Sequence, residues 1–239
     1  MHDRGRGRNR QTSPILISLL FQLYAQLERT GLKPPVTIAL LALNILVHVA
    51  PSPHVLQFDL TDLRQNCVQP STIVYALFQD RELLLNRLVL AALIHADDMH
   101  LYYNMLSLCW KGVNLETQLG SAAFLKLVIF SVLTAHALLV LGSLAMHQLG
   151  LPEAVSGYHS CAVGFSAVLF SMKAVWNASA PGETTLPYIG IRMPTKYAAW
   201  GELLLASLLS PRASFIGHLA GILAGQLYVL CLRHRAFMR

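Results

Sequence analysis

The chain is cut into apolar blocks that carry almost no charge and approach the length of a bilayer crossing. They run over about 35–50, 99–117, 122–146, 160–177, 195–209 and 213–232, and a helix needs roughly 20 apolar residues to cross a hydrocarbon core. Between them stand turn-forming residues: Pro34-Pro35, Pro51-Ser52-Pro53, Gly120, and the Pro/Gly stretch of Pro181, Gly182, Pro187 and Gly190. Of 239 residues 54% are hydrophobic and only 13% charged, about half the usual charged share of a soluble domain. A soluble fold would need a charged shell that this composition lacks. The expected class is an all-α polytopic membrane protein of six transmembrane helices, because helices satisfy their own backbone groups in lipid.

The flanks sharpen this reading. Residues 14–28 form a shorter apolar stretch containing Gln22, Gln26 and Glu28, which fits an interfacial, amphipathic helix or a packing element. With the basic tail of Arg4, Arg6, Arg8 and Arg10 it makes a cytosolic segment over 1–33. The six-helix domain covers 34–232, and 233–239 is a short basic cytosolic tail. A mixed stretch over 51–97 includes a helix-like run at about 81–94. With both termini in the cytosol, every Lys and Arg except Arg64, Arg81, Arg87 and Arg212 falls on the cytosolic side, as the positive-inside rule requires. The basic tail has no interleaved aromatics, so it reads as an orientation signal and not as a nucleic-acid contact. The first apolar stretch lacks a cleavage site, so no secretory signal peptide is expected. The four cysteines show neither a CxxC pair nor zinc spacing. Cys67 and Cys161 share a compartment in this topology, yet free thiols are the preferred state.

Polar residues inside spans are costly, and three groups invite a chemical role. The first is Gly164-Phe165-Ser166-Ala167 in the fourth block. A serine in a membrane helix is usually a small packing residue. Counted along a helix starting near Ser160, however, Ser166 lies about 9 Å below the non-cytosolic surface, where water can still reach. The second is His218 in the sixth block, which runs in the same direction and reaches nearly the same depth. Gly217, Gly221 and Gly225 recur every fourth residue there, a row that lets a neighbouring helix approach at backbone distance. If that neighbour is the fourth block, the imidazole comes within reach of the Ser166 hydroxyl, and a serine needs such a base to become a nucleophile. The third group is His100 and Asn104, which share a helix face at i and i+4. Such side chains supply the donors that acyl transfer needs for its oxyanion. His95 lies just ahead of them and either assists or orders the preceding loop.

These residues resemble the rhomboid family of intramembrane serine proteases. Gly164-Phe165-Ser166-Ala167 matches its GxSx motif, His218 with Gly221 and Gly225 its sixth-helix HxxGxxxG, and His100 with Asn104 its second-helix HxxxN. The run from Gly112 through Glu116 to Gly120-Ser121 is similar to its GxxxExxxGS. The motifs occur in order over most of the chain. The runs around His95–His100, Trp110–Asn114 and Ser160–Ser166 look closest to the eukaryotic rhomboid-related protein four branch, associated with the endoplasmic reticulum. The resemblance implies a six-helix fold and a Ser166–His218 dyad without a third acid. It further implies an oxyanion site of the Ser166 N–H with His100 and Asn104, close packing at Gly164, and a structural Glu116. Its partners would be transmembrane protein substrates and the lipid bilayer. Phe170 stands where the family often has a tyrosine that stacks on the histidine. A Trp-Arg pair is missing from the first loop.

Other classes fare worse. An inactive rhomboid-fold factor that binds transmembrane helices typically lacks the serine or the histidine, and both are present. A transporter would show charges along a path, whereas Lys173 and Glu202 read as lying near span ends or snorkelling there. Neither HExxH nor an aspartyl Gly-Asp motif occurs, and the histidine spacing supports no metal site, so no cofactor is expected.

Overall fold

Prolines and capping polar side chains decide where the apolar blocks become helices. The structure, a computed structural model, describes residues 13–49, 63–79, 82–180, 182–186, 190–210 and 213–237. The arginine-rich tail, the Pro51–Pro53 turn, and Pro181 and Pro187 lie outside the described residues. Helix α1 (Pro14–Thr30) starts beneath Ser13, whose hydroxyl accepts the Ile15 N–H at 3.3 Å. Pro14 occupies the first turn, where its missing N–H costs nothing. Helix α2 (Pro35–Val49) follows. The mixed stretch folds into three short helices, α3 (Leu63–Asn66), α4 (Pro70–Gln79) and α5 (Glu82–Leu93). Helix α6 (Asp98–Leu119) begins at Asp97, whose carboxylate caps the His100 N–H at 2.8 Å. Helix α7 (Ser121–Gln148) restarts after Gly120 alone, and then come α8 (Glu153–Ser156) and α9 (Ser166–Ser179). A hairpin of β1 (Glu183–Thr185) and β2 (Arg192–Pro194) leads to α10 (Thr195–Leu209) and α11 (Phe215–Phe237).

The chain is mostly helical. Helix α7 and residues 215–232 of α11 are long and apolar enough to cross a membrane by length and composition, and α2 is apolar but shorter. The blocks expected at 99–117, 122–146 and 195–209 coincide closely with α6, α7 and α10. Helix α9 is the central post: ten of its fourteen residues are buried, against α6, α7, α10 and α11. The sixth glycine-rich block meets it as expected. A Cβ on Gly221 would fall onto the Ala167 carbonyl, and one on Gly225 onto the Ser171 backbone. These two glycines therefore bring α11 against α9 at backbone contact.

One polar knot ties three helices together. The Glu116 carboxylate, near the C-terminal end of α6, accepts the Val36 N–H at 3.0 Å and the Thr37 N–H at 2.7 Å. It also accepts the Thr37 hydroxyl at 2.8 Å and the Ser121 hydroxyl at 2.7 Å. The first turns of α2 and α7 thus share one buried acceptor, and free N-terminal N–H groups gain from a negative charge.

Three expectations are corrected and one open alternative is decided. The fold contains a small antiparallel hairpin, β1–β2, where only a loop was foreseen. Helix α1 serves as the packing element that its sequence also allowed. Leu19 and Leu23, one turn apart, are buried in the same core as Leu101, Met105 and Leu108 of α6. Gln22 accepts the Tyr102 hydroxyl at 2.9 Å, while Leu32 and Pro34 sit beside Glu116 and Gly120, so α1 packs along α6. Cys67 and Cys161 are joined as a disulfide with their Cα atoms 5.5 Å apart. Thiol spacing alone could not show this, because 94 residues separate them. Finally, the fourth block is not helical from Ser160; α9 begins only at Ser166.

Candidate active site

The last correction builds the site. Residues 160–165 are not a helix turn but an irregular lead-in. Ala162 pairs with Val68 through two backbone hydrogen bonds, at 2.9 and 3.0 Å, and the adjacent Cys161 is bonded to Cys67. Closing a loop of that size restricts the unfolded chain by about 4–5 kcal/mol in chain-entropy terms. The Gly164 N–H then donates to the Ala91 carbonyl at 2.8 Å. Gly164 adopts φ 105°, and a Cβ there would stand 2.6 Å from the His100 ring. Only glycine meets both demands. Helix α9 starts two residues later, and Phe165 at its N-cap provides no side-chain hydrogen bond. The first N–H groups of α9, Ser166 included, lack helical partners by construction. Ser166 is thus held at a helix N-terminus and not several residues down a helix.

Helix α11 brings the second group. His218 Nε2 lies 3.1 Å from Ser166 Oγ. Its Nδ1 is buried without a hydrogen-bond partner among the described residues. Phe170, one turn beyond Ser166, sets its ring 4.5 Å from the imidazole at a 33° tilt, so the aromatic contact survives without a hydroxyl.

The N-terminal end of α6 supplies the third side. The His100 ring packs on Gly164 with its Nε2 edge, and its Nδ1 accepts the Ala96 N–H at a long 3.4 Å. In a neutral ring that leaves the proton on Nε2, on the edge that lies against Gly164. Asn104 donates to the His100 carbonyl at 2.8 Å. Its Oδ1 has no partner among the described residues. His95, 5% exposed, rests edge-on against His100 at 5.1 Å. Burial, then the neighbouring His100 and His48, pull its pKa down to about 3, so it stays neutral. His48 reaches Asp98 at 2.8 Å and closes this end of α2 on α6.

Ser166, His218, His100, Asn104, Gly164, Phe170 and His95 therefore gather at one place. Glu116 stands apart at the far end of α6, and Gly221 and Gly225 act at the α9–α11 seam. Sequence reading missed a charged cluster beside the site. The Lys111 ammonium, 3% exposed, lies 2.5 Å from Glu202 Oε1, and Lys173, equally buried, lies 3.8 Å from Glu202 Oε2. Lys173 and Glu202, expected near span ends or snorkelling there, face each other from the middle turns of α9 and α10. Their partner Lys111 is 91 residues from Glu202, beyond any local pattern.

Comparison with known proteins finds similarity over most of the chain. The model of the Rhomboid domain matches residues 83–235. Rhomboid-like protein 14, mitochondrial, of Arabidopsis thaliana is 39% identical over 236 residues, 96% of this chain and 65% of the relative. Rhomboid-related protein 4 of Homo sapiens is 40% identical over 231 residues, 95% of this chain and 65% of the relative. Rhomboid-type serine protease 2 of Eremothecium gossypii is 30% identical over 155 residues, 65% of this chain and 55% of the relative. The chain spans a little under two thirds of the length of the first two.

Proposed function

This chain belongs to the rhomboid family and is closely related to its eukaryotic rhomboid-related protein 4 branch, and on that premise we propose that it hydrolyses peptide bonds in or near transmembrane segments of membrane proteins. The observation that carries the reading is the 3.1 Å approach of His218 Nε2 to Ser166 Oγ. Ser166 attacks the scissile carbonyl while His218 takes its proton and later returns it to the leaving amine. No acid backs the imidazole: its Nδ1 meets no partner among the described residues. The oxyanion is held by the Ser166 N–H at the start of α9 and by the His100 Nε2–H, with the second amide hydrogen of Asn104 beside them. A helix N-terminus adds its positive pole at the same point.

Helices α2, α6, α7, α9, α10 and α11 are the six crossings of this reading, within a domain over 34–232. The Cys67–Cys161 disulfide belongs to an oxidising compartment, which supports a non-cytosolic active-site end and a cytosolic Glu116 end. The endoplasmic reticulum fits both the disulfide and the branch. The printed name of the Arabidopsis relative points instead to mitochondria, and imaging of the tagged full chain separates the two. The substrate is a transmembrane helix that unwinds near the non-cytosolic face, because a regular helix hides its carbonyls from attack.

The deciding experiment is cleavage of a reporter transmembrane substrate by the purified chain in liposomes, beside Ser166→Ala and His218→Ala. Cleavage by the parent alone, with a fluorophosphonate labelling Ser166, supports the dyad. A panel of intact substrates and an unlabelled Ser166 would leave helix recognition without catalysis.

A further inference from the structure

The catalytic reading makes no use of a costly feature of the interior: two buried lysines, Lys111 and Lys173, gathered on the part-exposed carboxylate of Glu202 between α6, α9 and α10. An ammonium or carboxylate taken out of water costs several kcal/mol unless it is paired. Here each oxygen of the single Glu202 carboxylate faces its own lysine, Lys111 at 2.5 Å and Lys173 at 3.8 Å. A methionine or leucine at these positions would fill the space without that cost, so packing alone does not account for the charges.

Their position gives a reason. The Lys111 ammonium stands 5.7 Å from the centre of the Phe170 ring, within range of a cation–π contact. The same Phe170 ring lies 4.5 Å from the His218 imidazole. Phe170 is four residues after Ser166 on α9 and so shares its face. Lys173 follows three residues later and places its ammonium 5.5 Å from the Trp110 ring on α6. The arrangement reads as a relay. Glu202 keeps Lys111 in the interior, Lys111 backs Phe170, and Phe170 backs the base.

We propose that Glu202 and Lys111 are positioning residues that hold Phe170 against His218 and thereby keep the imidazole on Ser166. The proposal rests on the dyad assigned above. Glu202→Gln removes the only carboxylate of the cluster and leaves two buried ammonium groups. The triple variant Lys111→Met, Lys173→Met, Glu202→Gln removes every charge of the cluster, and its stability should match the parent. It keeps the test valid if the single variant does not fold.

The full chain is prepared in detergent with ring-labelled histidine. Three quantities are read: the unfolding midpoint, the His218 ring resonances, and the rate at which a fluorophosphonate labels Ser166. This small probe needs no transmembrane substrate to dock. Phe170 sets the ring-current environment of His218, so its resonances shift in the triple variant while the midpoint holds. Labelling falls by about 10- to 100-fold, the scale expected when a reacting group is slightly misplaced. A triple variant with unmoved resonances, or one that labels at the parent rate, overturns the positioning role and leaves the protease reading intact. A parent that never labels, with His218 resonances that still move in the triple variant, sinks the protease reading and leaves the structural relay standing. If neither signal is seen, both fall.

Discussion

The two ends of α6 treat buried polarity in opposite ways. At the C-terminal end, Glu116 is saturated by four donors from α2 and α7. At the N-terminal end, His95 Nε2 and Asn104 Oδ1 have no partner among the described residues, and neither does His218 Nδ1 nearby. An unpaired buried polar atom costs about 1–3 kcal/mol, and such atoms in native proteins call for an explanation. A saturated carboxylate has nothing left to offer a ligand; an unsaturated cluster does. Hydrogen-bond accounting along one helix thus separates a closed polar end from an open one, which is the end the proposed chemistry uses, although the family motifs include both.

The sharpest way to break this contrast is at the dyad. Ser166→Ala and His218→Ala should each lower cleavage by roughly 10,000-fold or more, with unfolding midpoints in detergent close to the parent. A large drop in midpoint would mean that the chemical end also holds the fold. Glu116→Ala should behave in reverse. It leaves four donors without their acceptor and should cost about 3 kcal/mol of stability, read as a lower midpoint. Ser166 labelling at a temperature where the variant is folded should persist, and its loss would merge the two ends. His100→Ala should slow turnover by about 100-fold with little change in KM, the signature of an oxyanion donor; a change in KM alone would make it a binding residue.

The smallest effect concerns pH. His95 is neutral in the fold down to a pKa of about 3, whereas it titrates near 6.5 when unfolded. The unfolded state therefore takes up the proton first, and stability falls as pH drops from about 6.5 towards 3. His95→Gln should flatten that part of the midpoint-against-pH curve. An unchanged curve would show that His95 is not the titrating group at this end.

Much of this was legible because spacing survives folding. The i, i+4 relation of His100 and Asn104, the fourfold glycine row before and after His218, and the lone Gly120 between two apolar blocks each carry local geometry. What was not legible depends on distant partners. Nothing in the run from Ser160 to Ser166 marks it as non-helical except Gly164, since its neighbours are apolar or small. Its pairing with Val68 and its bond to Cys67 come from a segment far upstream. For residues 14–28 interface and packing stayed open, because the partner that buries Leu19 and Leu23 is α6, far along the chain. Lys173 and Glu202 read as charges near span ends or snorkelling there, and Lys111 as one more cytosolic-side lysine, because the contact that unites them is tertiary.

The 52 residues between Ser166 and His218 also set an order in time. The ribosome adds about 5–20 residues per second, so on the proposed reading the nucleophile enters the growing chain about 3–10 seconds before its base. During that interval α9 has a serine with nothing to take its proton, and the seam that will receive Gly221 is open. On the proposed reading a nascent chain is therefore inert among other unfinished membrane helices. It would gain the means to cut only once α11 has been laid against α9.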